Sequence, residues 1–118
     1  MAIENWSDRI VIAHLGGDPG FTDDVQTIGE MAGQRPFDVV LDFGQVRFLN
    51  SSHLARLLKL RKTMVAAGNR LIMCCVDTQV WSIFLTTGLD KIFDFSDAVP
   101  LALAGLQLAQ QADPASPA

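Results

Sequence analysis

Two short apolar runs, "FDVVLDF" (Phe37 to Phe43) and "RLIMCCV" (Arg70 to Val76), flank one long Leu-rich, basic stretch, and this arrangement constrains the fold more than any other feature. Each run lacks the in-out alternation of a half-buried strand, so each reads as a strand covered on both faces. The stretch between them repeats its apolar positions at spacings of three and four, which is helical. A strand, a crossover helix and a second strand give a parallel pair with the helix packed on the sheet.

The same alternation extends in both directions. "RIVIAHL" (Arg9 to Leu15) is β-branched and reads as a strand, preceded by a short one at Ile3–Trp6 and a turn at Ser7-Asp8. "GGDPG" (Gly16 to Gly20) breaks any regular element. Thr22 to Gly33 reads as a helix with Thr22 as N-cap. Beyond Val76, "TQVWSIFLTT" (Thr78 to Thr87) is a short helix stopped by Gly88, "KIFDF" is a last strand, and Ser96 or Asp97 caps a final helix through about Gln111. The Pro-rich tail "ADPASPA", residues 112–118, is expected to be disordered. The expected class is therefore α/β, one domain over residues 1–111, in the order β-β-α-β-α-β-α-β-α with a mixed, mostly parallel sheet. In the long helix, Leu54, Leu57, Leu58, Arg61 and Val65 trace a stripe, widened by Leu60 and Met64, that is expected to face the sheet.

Composition closes off several functions. With 118 residues and 49% apolar content the chain can bury a core. A net charge of −4 without a concentrated basic face argues against nucleic acid as partner. No apolar run approaches the ~20 residues of a membrane helix, and no basic-then-apolar leader opens "MAIENWSDRI", so a soluble cytoplasmic protein without membrane insertion is expected. Neither a Gly-rich dinucleotide fingerprint nor a P-loop occurs, no serine lies in a nucleophile elbow, and the carboxylates are scattered, so no catalytic activity and no cofactor are expected. Cys74 and Cys75 are adjacent and His14 and His53 are isolated. On a strand the two thiols would point to opposite faces, so they read as small buried core residues, with no metal assigned.

The remaining question is "FLNSSHLARLLKL" (Phe48 to Leu60), where Asn50-Ser51-Ser52 stands at the junction of loop and helix. Ser and Asn accept hydrogen bonds from the free N–H groups of a first turn, so these residues read as an N-cap. Neither serine has Glu or Gln three positions on, so neither completes a capping box. The same free N–H groups and the helix dipole also accommodate a phosphate, so a modified serine here would change the surface charge without breaking the fold.

The run from Val39 to Phe95 resembles the STAS domain of the bacterial anti-sigma factor antagonist (anti-anti-sigma) family. The resemblance is carried by a strand ending Leu-Asp, by Val-x-Phe-Leu, by the two serines and Leu-rich helix, and by "TTGLDKIF". It implies a binding module rather than an enzyme. Unphosphorylated, such a protein binds an anti-sigma factor serine kinase (a histidine-kinase-like ATPase) and releases the sigma factor; the kinase phosphorylates it and a metal-dependent serine phosphatase resets it. The resemblance puts the phosphorylated serine at Ser51 and the partner-binding surface at Asp18, Asn50, Ser51, Ser52 and His53. Asn50 stands where the family usually has Asp and His53 where it has Gly, and the acid near Gly20 is Asp18. His53 itself reads as an ordinary surface histidine. Two alternatives stay open: a STAS subunit of a lipid-transport ATPase or stress-sensing scaffold, and a small-ligand binder at the strand ends.

Overall fold

The computed structural model describes residues 2–111; the expected disordered tail lies outside the described residues. Ten elements follow one another along the chain: β1 (Ile3–Ser7), β2 (Ile10–His14), α1 (Gly20–Ala32), β3 (Asp38–Asp42), α2 (Ser51–Ala66), β4 (Leu71–Cys74), α3 (Thr78–Thr87), a 3-10 turn at Leu89–Lys91, β5 (Asp94–Ser96) and α4 (Val99–Gln111). The expected α/β order is thus observed. The five strands form one sheet in the order β1-β2-β3-β4-β5, antiparallel between β1 and β2 and parallel elsewhere.

Strand alternation divides the sheet into two faces. Val11 and Ala13 of β2, Val39 and Leu41 of β3, and Leu71 and Met73 of β4 pack with Phe21 and Ile28 of α1, Leu57, Leu60 and Met64 of α2, and Val80 and Phe84 of α3. On the other face Ile10, Ile12, Val40 and Cys74 meet Ala102 and Leu106 of α4. The central strands are buried on both faces, which is why their sequences do not alternate. The buried Asp38 carboxylate fastens α4 across the sheet: it accepts the Arg70 N–H at 2.7 Å and the Gln110 side-chain amide at 2.9 Å.

Three sequence expectations shift. First, α1 starts at Gly20 rather than Thr22, and Thr22 is not its N-cap. Asp18 supplies that function from outside the helix, accepting from the Thr22 backbone N–H at 3.1 Å and from its hydroxyl at 2.7 Å. Second, the last strand is Asp94–Ser96, because the Gly88 left-handed cap leads into the 3-10 turn at Leu89–Lys91; α4 likewise opens at Val99. Third, the buried face of α2 runs through His53, Leu57, Leu60 and Met64, while Leu58 is 37% and Val65 57% exposed. Leu57, Leu60 and Met64 of the expected stripe are buried and Leu54 packs against the core, so the buried face is turned from the centre of that stripe toward its Leu60 and Met64 side. The face turns because His53, a polar type, occupies the first buried position and α2 packs against α1.

Truncation separates the two faces. Leu57→Ala is expected to cost about 2–5 kcal/mol and lower the denaturation midpoint, since a fully buried side chain leaves a cavity. Leu58→Ala should cost less than about 1 kcal/mol. Equal losses at the two positions would place the helix face wrongly.

Candidate functional site

Parallel pairing collects the loops that follow β2, β3 and β4 at one edge of the sheet, where α1, α2 and α3 begin. The loop after β3 carries Phe48, which is 63% exposed, and Leu49, which is buried and anchors the segment. Asn50 then takes the N-cap position in extended backbone (φ −100°, ψ 178°).

The cap is Asn50, and its partner is His53. The His53 backbone N–H donates to Asn50 Oδ1 at 2.9 Å, and the Asn50 backbone N–H donates to His53 Nδ1 at 3.1 Å. This is a capping box in which an imidazole nitrogen replaces the usual Glu or Gln oxygen. Of the three residues that read as the N-cap, Asn50 holds that position and the two serines do not. His53 is not a surface residue either: it is buried, with its ring centroid 4.7 Å from that of Phe21.

The same ring reaches across to the "GGDPG" loop. His53 Nε2 lies 2.5 Å from Asp18 Oδ2. Because Nδ1 accepts from Asn50, the proton resides on Nε2, which donates to Asp18. One imidazole thus links two helix starts, α2 through Asn50 and α1 through Asp18. The Thr22 hydroxyl, then His53, hold the Asp18 carboxyl down to about 2 from an ordinary 3.8.

Of the five residues expected at the partner surface, the structure brings Asp18, Asn50 and His53 into one hydrogen-bonded chain and leaves Ser51 and Ser52 exposed at the start of α2. No acidic side chain stands in the first turn of α2. Two neighbours escaped the sequence reading. Phe48 is one: its position just before a polar cap marks it as a loop residue, and its side chain is exposed. Arg47 donates to the Gly44 carbonyl at 2.8 Å and lies 3.7 Å from Asp77, the side-chain N-cap of α3. It ties the loop to the third helix start.

Comparison with known proteins agrees with this architecture. The STAS domain model matches residues 6–102, and the chain belongs to the STAS domain family. No curated protein sequence matches it. A crystal structure of a provisionally assigned anti-sigma factor antagonist from Thermotoga maritima superposes with a TM-score of 0.70 at 15% identity, covering 86% of this chain and 90% of that one. An NMR structure of the same Thermotoga protein gives 0.78 at 15% identity, covering 91% and 89%. An anti-sigma-factor antagonist (STAS) domain protein from Planctomyces limnophilus gives 0.72 at 16% identity, covering 89% and 96%. At these identities the likeness is one of fold. No helix among the described residues is long and apolar enough to cross a membrane.

Two measurements test the site's wiring. Asn50→Ala should cost about 1 kcal/mol as a lost cap, whereas Ser51→Ala and Ser52→Ala should each stay within about 0.5 kcal/mol. The depressed Asp18 carboxyl favours the folded state above pH 3.8, a contribution lost as pH falls toward about 2. Thr22→Val removes its first donor, so the Asp18 carboxyl followed by NMR should titrate closer to 3.8; an unmoved titration would show that Thr22 does not hold it down.

Proposed function

We propose that this protein is an anti-sigma factor antagonist of the cytoplasm: unphosphorylated, it binds an anti-sigma serine kinase, and phosphorylation of Ser51 switches it off. The observation that carries this reading is the division of labour in the first turn of α2. Asn50 and His53 satisfy each other, so the Ser51 and Ser52 side chains are not needed to hold the helix start. An exposed serine without that duty is available to a kinase. Phosphate added there would meet a helix N-terminus with no acid in its own first turn.

The surroundings support a docking surface. The 63%-exposed Phe48 lies three residues before Ser51 and offers an apolar anchor beside a polar rim. Asp18, fixed by Thr22 and His53, presents a charge at the same edge. A phosphoserine would bring nearly two negative charges to this surface, where desolvating an unpaired charge against a partner costs several kcal/mol. The switch therefore acts on binding and leaves the core intact. The family resemblance of "NSS" and the likeness to antagonist structures point the same way.

The test uses the full chain, ATP and an anti-sigma kinase encoded beside its gene. Phosphate should map to Ser51, disappear in Ser51→Ala, and abolish binding to the kinase; Ser51→Ala should bind as the unmodified protein does. Phosphate confined to Ser52 would move the site by one residue. No labelling and no binding by the unmodified chain would sink the antagonist reading.

A further inference from the structure

The opposite face of the sheet carries a second cluster. Parallel register aligns His14 of β2, Asp42 of β3 and Cys74 of β4 in one row at the C-terminal end of the strands. Cys74 is buried against the α4 side of the sheet. Cys75 follows immediately, and in a continuing strand its side chain would turn to the other face. Instead the strand ends at Cys74, and Cys75 adopts a left-handed backbone with φ +62°. Both thiols therefore stay on one side. One carboxylate oxygen of Asp42 and the two sulfurs of Cys74 and Cys75 all lie within 4.8 Å of one another.

The surroundings of Asp42 fit a ligand rather than a spare surface acid. Oδ1 accepts the Gly44 N–H at 2.8 Å, and Oδ2 is 2.7 Å from His14 Nδ1. Each oxygen retains a free lone pair. His14 is steadied in turn by Glu4, 3.3 Å from its Nε2. Position 44 has little room for a side chain: a Cβ there would meet Asp42 Oδ1 at 3.1 Å and Cys75 Cβ at 3.9 Å. Ligating carboxylates are commonly held by such outer hydrogen bonds.

The geometry points to a binding site for one thiophilic divalent cation of the zinc class, with Cys74 Sγ, Cys75 Sγ and Asp42 as ligands and His14 as the residue that positions Asp42. Two thiolates with one carboxylate suit zinc, and three protein ligands leave a fourth position for water or a donor from another molecule. Zinc-bound sulfur and oxygen at about 2.3 and 2.1 Å lie roughly 3.5–4 Å apart, so the donors have to close by about 1 Å. Cys75, half-buried beyond the strand, can make that adjustment. Binding converts two thiols and one carboxylate into a complex of net charge −1 and releases two protons to solvent. No electron is transferred. The site is separate from Ser51, and neither proposal depends on the other.

The reduced full-length chain is titrated with zinc against a chromophoric chelator, and with cobalt as a spectroscopic substitute. One zinc per chain is expected, with a sulfur-to-cobalt charge-transfer band. Cys75→Ser should weaken binding by about 100-fold or more and remove intensity from that band, and Asp42→Asn and His14→Ala should each weaken binding by about 10–100-fold. Circular dichroism checks that each variant is folded. Should a variant fail to fold, alkylation of the wild type supplies the reading: zinc should protect Cys75 from iodoacetamide. Absence of binding below about 10 µM zinc overturns the proposal. So does undiminished binding by folded Cys75→Ser and Asp42→Asn, or unchanged alkylation in the presence of zinc.

Discussion

The parallel pairing of β2, β3 and β4 is the constraint on which the rest of the molecule depends. In-register parallel strands must be joined by crossovers, so every strand-to-helix loop lands at the same end of the sheet and every following helix starts there. Three helix starts then compete for hydrogen-bond partners within a small region. The chain satisfies them with side chains from neighbouring loops: Asp18 serves α1, Asn50 serves α2 and Asp77 serves α3. His53 joins the first two caps to one another, and Arg47 ties the loop before α2 to the third. What looks locally like three separate N-termini is one connected edge.

That connection explains why two serines can stand at the opening of α2. A helix start needs an acceptor for its free N–H groups, and a serine that provides one is not free for other chemistry. Asn50 provides it here, and His53 returns the bond. The polar work is done by residues on either side of the serine pair. His53 thus has a structural role: the ring fills a place against Phe21 and reaches Asp18.

The two faces of the sheet have different chemistry at the same edge. On the side of α1, α2 and α3, polar groups are paired into caps around an exposed serine. On the α4 side, His14, Asp42 and the two thiols form a row. Burial pushes the Cys74 thiol up, with Cys75 adding to it. Burial also opposes the charge on Asp42, but the Gly44 N–H and then His14 outweigh it, and the carboxyl ends below its usual range. Strand alternation sets most of this contrast, since Leu41 and Asp42, or Met73 and Cys74, are neighbours in sequence and belong to opposite environments, and the left-handed backbone of Cys75 adds the second thiol.

The α/β class, the element order and the helix over Thr78–Thr87 were legible in the sequence, because they rest on local periodicity, Gly88 and short apolar runs. The junction at Asn50-Ser51-Ser52 was legible too, as a helix start. Which residue caps it was not, because an Asn with His three positions on matches no standard capping pattern. Spacing in α2 marks Leu57, Leu60 and Met64 as apolar face but leaves the exact rotation open, because a buried histidine and a neighbouring helix set it. The chain by itself therefore determined which segments are strands and helices and that Ser51 begins one of them. Only the tertiary structure decided that Asp18 and His53 meet across 35 positions, and that Asp42 lies beside two thiols more than thirty residues away. Those contacts depend on strand register and on one left-handed residue, Cys75. Neither leaves a periodic trace in the sequence, because register is set by long-range pairing.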